Sequence, residues 1–131
     1  MDDVLRRRAF FRGFLYALCT KLKGEFLVEG DAYHQAFGAT VDYARKLAAE
    51  GKAPHPIRLH IDPLFGVYRE ANEMILEGQQ DLLLSLINPT LRKATFRINP
   101  EEAQRRLENI SEKEWYRDLA DYFVRQLPAT R

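Results

Sequence analysis

The stretch Asp3-Val4-Leu5-Arg6-Arg7-Arg8-Ala9-Phe10-Phe11-Arg12-Gly13-Phe14-Leu15-Tyr16-Ala17-Leu18-Cys19-Thr20-Lys21-Leu22-Lys23 reads as one helix with two apolar sides. Acids open it, lysines occupy its last turn, and Gly24 follows as a stop, each in keeping with the helix dipole and the C-cap. At 100° per residue, Val4, Phe11, Phe14, Leu15, Leu18 and Leu22 form one broad stripe. On the other side Ala9, Gly13 and Ala17 recur every four residues, flanked by Leu5 and Tyr16. Glycine inside a helix costs up to ~1 kcal/mol relative to alanine. A neighbouring backbone or ring packed close against the small residues would offset that cost. Such a helix is either sandwiched within its own domain or shared with another subunit. Two-fold dimers are the commonest closed assembly, so Leu5, Ala9, Gly13, Tyr16 and Ala17 are the expected homodimer interface.

Outward from this helix, Glu25 to Glu29 is a short apolar run that suits a strand or a buried turn. Asp31 can cap a second helix reaching Glu50, with Tyr33, Ala36, Phe37, Thr40, Tyr43, Ala44 and Leu47 on its inner face and Gly51 ending it. Pro54-His55-Pro56 is a rigid connector, and Ile57-Arg58-Leu59-His60-Ile61 alternates with the period of a strand. Asp62-Pro63 signals a third helix, expected to run to Ile87 with a break at Gly78. Thr90 to Ile98 favours extended chain. Asn99-Pro100 repeats the cap-then-proline signal, and Ser111-Glu112-Lys113-Glu114 has the form of a capping box opening the last helix. Helical segments total roughly 70% of the chain, about twice the usual share. The expected class is mainly α, about five helices in one domain over residues 1–127, with room for a small two- or three-stranded sheet (α+β as the alternative). Residues 128–131 are expected to be a mobile tail.

The whole chain has 131 residues, 46% hydrophobic and 30% charged, which fits one globular domain. Its 20 Lys and Arg against 19 Asp and Glu leave a formal charge of +1, so no global excess points to nucleic acid or membrane. A single cysteine excludes an internal disulfide, and no apolar run reaches the ~20 residues of a membrane span. A cytoplasmic location is the expectation.

Three groups of residues can carry chemistry. His55 and His60, with Asp62, are the candidates for a metal or acid–base site, but none has a recognised metal-ligand spacing. Neither a cofactor nor a catalytic residue is assigned. Glu70, Glu73, Glu77 and Asp81 fall three, four and four apart, on one helix face, as a solvated face or a docking surface for a basic partner. Arg6, Arg7, Arg8 and Arg12, with Arg92, Lys93 and Arg97, can form a basic patch for phosphate. The leading expectation is a non-enzymatic interaction or regulatory module acting through helix surfaces on a protein partner, itself included. Nucleic-acid binding through the basic patch is the alternative, and a small enzyme or metal protein using His60 and Asp62 is the third reading.

Overall fold

The computed structural model describes residues 3–22, 25–28, 31–51, 69–86 and 93–127. Five helices and three strands follow in the order α1 (Asp3–Lys21), β1 (Glu25–Leu27), α2 (Asp31–Ala49), α3 (Arg69–Gln80), β2 (Leu84–Leu86), β3 (Lys93–Phe96), α4 (Pro100–Glu108) and α5 (Lys113–Gln126). Helix accounts for 74% of the described residues, so the class is mainly α with a small sheet.

α1 is the hub. From Phe10 to Cys19 every side chain but Arg12 is buried, because α3 packs on one flank and α4 and α5 on the other. Between Phe10 and Cys19 the two apolar sides of the helix therefore both face parts of the same chain. Phe14, fully buried, meets Phe10 and Phe123 edge-on, each with ring centroids 5.5 Å apart. Phe123 continues the cluster to Tyr33 and Phe26, and Phe26 to Phe96. One aromatic core thus ties α1, α2, α5 and the sheet together. Edge-on geometry sets positive ring edges against negative faces and adds to the burial of the rings.

The sheet is antiparallel with β3 in the centre: Phe26 pairs with Ala94, and Leu86 with the same Ala94. Ala94 and Phe96 point inward, as alternation requires. α2 packs on α5, where Tyr43 stacks on Tyr122 at 4.4 Å and donates to Asp118 at 2.9 Å. α4 opens as its sequence implies: the Asn99 side chain accepts from the Glu102 N–H at 2.8 Å, and Pro100 takes the first helical position.

Three expectations are corrected. The third helix ends at Gln80 rather than Ile87, and Leu84–Leu86 is an edge strand. The Leu82 N–H donates to Gln79 O and the Leu83 N–H to Gly78 O, the paired bonds of a Schellman stop. Leu82 occupies the left-handed position at φ 60°, where glycine is usual. Instead of breaking the helix, Gly78 lets it pass close under β2: an added Cβ would lie 2.6 Å from Leu84 Cδ1 and 3.0 Å from Leu15 Cδ1. The expected capping box is also absent. α5 starts at Lys113 with Glu112 at the cap and no side-chain cap bond, because successive turns through Ile110 set the helix start past Ser111.

A left-handed leucine costs about 1–2 kcal/mol. Leu82→Gly is therefore expected to raise the unfolding free energy by about 1 kcal/mol in a denaturant titration. No gain would place the strain elsewhere.

Candidate functional site

Three acids expected on an outward face turn in or pair within the chain. Glu70 is buried, and Glu77 and Asp81 lie against α1, with Arg8 Nε 3.2 Å from Glu77 Oε2 and Arg12 3.7 Å from Asp81 Oδ2. Both pairs step by four residues in the same sense, so α1 and α3 run parallel. Glu73 stays on the outer side and pairs with Arg69 at 3.3 Å. The basic patch is partly neutralised in the same way, since Lys93 also meets Glu25 at 3.2 Å. Arg97 is exposed. The side chains of Leu5, Arg6 and Arg7 lie outside the described residues, as do Arg92, His55, His60 and Asp62.

The small-residue side of α1 has an in-chain occupant. Tyr116 of α5 is buried, and a Cβ at Gly13 would sit 2.6 Å from its ring. The Tyr116 hydroxyl donates to Ala9 O at 3.4 Å. Ala17 and Tyr16 are buried, while Ala9 is exposed. Filling of this side by the chain itself removes the reason for expecting a subunit contact at Gly13 and Ala17.

What remains beside Ala9 is an open groove of about 390 Å³ between α1, the end of α4 and the start of α5. α1 contributes Ala9, Arg12 and Tyr16, spaced three and four and so on one face. Arg106 reaches in from the last turn of α4, and Asn109 and Ile110 from the turn that follows. Glu112 and Tyr116 close the far wall. The Arg106 guanidinium lies 5.8 Å from the Tyr16 ring centre and bonds Glu102 through Nε at 3.1 Å. Glu102 and the Tyr16 hydroxyl together hold its proton more firmly than usual. Burial, with Glu112 nearby, pushes the Tyr116 phenol up, so it remains a neutral donor.

The turn forming one wall is fixed from outside. Glu108 receives Lys113 at 2.8 Å and also Arg117, which in addition holds Glu114. The two cations keep the Glu108 carboxyl below its ordinary range. These pairs span the α4–α5 turn on its exposed side, next to Asn109 and Ile110.

The groove offers guanidinium donors, ring faces, an amide, one branched aliphatic side chain and, on the far wall, the Glu112 carboxylate. That set suits binding a charged and apolar surface. Sequence reading named Arg12, Ala9 and Tyr16 for other roles and missed Arg106, Asn109, Ile110, Glu112 and Tyr116, which only the packing of three segments brings together.

Cys19, buried, donates its thiol to Ile98 O at 3.4 Å, and burial pushes its pKa up to about 11. Its stabilising contribution is complete below the ordinary value of 9.0 and is lost as pH rises through the folded one. Alkylation by iodoacetamide at pH 8 is expected to run about 100-fold slower in the native protein than in denaturant, following the thiolate fraction. Equal rates would mean that the thiol is exposed.

Among the described residues no helix is long and apolar enough to cross a membrane, and no cluster of three metal-binding side chains occurs. Compared with protein-family models, curated proteins and solved structures, the chain matches none.

Proposed function

We propose that this chain is a non-enzymatic interaction module whose working surface is the α1–α4–α5 groove, and that the groove takes a protein segment bearing a carboxylate beside an apolar side chain. The observation that carries the reading is the lining itself. Arg12 and Arg106 border apolar surface from Tyr16, Ile110 and Tyr116 in an opening of about 390 Å³. That volume lies within the range of pockets that bind small groups. Arginine keeps its charge at any working pH, and its planar fork matches a carboxylate. The nucleic-acid reading loses support because Arg8 and Lys93 face carboxylates of the same chain and neither lines the groove.

The test is an amide ¹H–¹⁵N titration of the full chain with the blocked peptide acetyl-Leu-Glu-Leu-amide and its Gln counterpart. A short segment of this kind binds at about 1 mM. Shifts are expected to cluster at Ala9, Tyr16 and Ile110 with the Glu peptide and to fall at least about fivefold in Arg106→Gln. Shifts that scatter over the surface, or gather on another face, would overturn the reading.

A further inference from the structure

We propose that the occupant of the groove is the outer face of α3 in a second copy of this chain, so that two copies pair about a two-fold axis near Arg12. The inference rests on the docking role proposed for the groove. Among the described residues, the large hydrophobics left exposed are Leu76 (55%) and Leu82 (63%). Both belong to α3 or the turn that ends it, and Leu82 in addition holds the left-handed backbone. Leu82 is thus both solvated and in the left-handed position that closes the α3 stop, where glycine would carry no strain. Strain of this kind concentrates at functional surfaces.

Position supplies the second half of the argument. Around α1, Arg8 and Leu15 turn toward α3, Ala9 and Tyr16 turn toward α4 and α5, and the exposed Arg12 stands between. On α3, Glu77 and Asp81 meet those arginines, and at 100° per residue Glu73, Gln80 and Leu76 lie progressively further out on the same side. One surface of the molecule thus reads leucine knob, arginine ridge, groove. A two-fold rotation about the ridge exchanges knob and groove, which is the self-complementarity an isologous interface needs. It sets Leu76 and Leu82 of one copy against Tyr16 and Ile110 of the other, with Glu73 toward Arg106. The acid-beside-leucine chemistry proposed for the groove is the chemistry this face of α3 presents.

Sedimentation equilibrium of the full chain tests the pairing. A small interface of this kind gives a dissociation constant on the order of 100 µM. The apparent mass should therefore climb from 15.3 kDa toward twice that value as concentration rises. Leu76→Glu is expected to hold the mass at 15.3 kDa throughout. Leu82→Gly should weaken pairing while stabilising the fold, an opposition a purely structural role cannot produce. Glu73→Arg and Arg106→Glu should each weaken pairing about tenfold, and the double variant should restore it to within about threefold. A wild-type mass fixed at 15.3 kDa up to about 1 mM, ten times the expected dissociation constant, or association indifferent to Leu76→Glu, overturns the inference. If the Glu peptide still shifts Ala9, Tyr16 and Ile110 in that case, the docking role of the groove stands and only the identity of its occupant falls.

Discussion

Phe14→Ala is expected to lower the unfolding free energy by about 3–5 kcal/mol, the range for a large aromatic removed from a closed core. Phe14 is fully buried, and its ring meets Phe10 from its own helix and Phe123 from α5. Phe123 in turn touches Phe26 and Tyr33, so the cavity would open where α1, α2, α5 and β1 converge. Elements held on several sides cannot collapse into the space, which places the loss toward the upper end of the range. Domains of this size are stable by only about 5–15 kcal/mol, so the variant should lose a large part of its margin. Urea unfolding followed by far-UV circular dichroism reads the change, and a loss below about 1.5 kcal/mol would mean that Phe14 is not central to the core.

Gly13→Leu is expected to destabilise by about 3 kcal/mol through overpacking, against the trend of helix propensity. Leucine is a better helix former than glycine by somewhat under ~1 kcal/mol, so propensity alone predicts a gain. Contact decides the sign. A Cβ at this position would lie 2.6, 2.7 and 2.9 Å from Cε2, Cζ and Cδ2 of Tyr116. Those atoms belong to a rigid ring that is itself buried and tethered through its hydroxyl to Ala9 O. They are not the free end of a flexible chain, so α5 must move away from α1. Thermal unfolding of the variant, compared at two protein concentrations, separates this cause from a subunit contact. The loss should be the same at both.

Much of the fold was legible because local chemistry and tertiary packing agree. α1 and α2 begin where Asp3 and Asp31 stand and end within two residues of the expected stops. Asn99-Pro100 opens α4 as read. The end of α3 was not legible. Its stop uses Leu82 where a glycine would have announced it, and the leucine run that follows suits a buried helix end as well as a strand. Only pairing with β3, set by contacts distant in sequence, decides between them. The acidic and basic stripes were visible as matching four-residue steps, but spacing within a helix says nothing about which helix lies opposite. Arg8 meets Glu77 and Arg12 meets Asp81 because α1 and α3 run parallel. The groove was invisible for the same reason, since residues 9–16, 106–112 and 116 form a surface only after α4 and α5 fold back on α1.

Whether the chain itself fills the small side of α1 decides what surface is left for a partner, and a double-mutant cycle between Gly13→Leu and Tyr116→Ala measures it most directly. With Tyr116 truncated, the ring that clashes is gone, and the leucine should lose most of its penalty. The coupling read from urea unfolding should then be at least about 1.5 kcal/mol and independent of protein concentration. Costs that add to within about 0.5 kcal/mol would show that Tyr116 does not occupy the ridge, and the groove beside it would lose its wall.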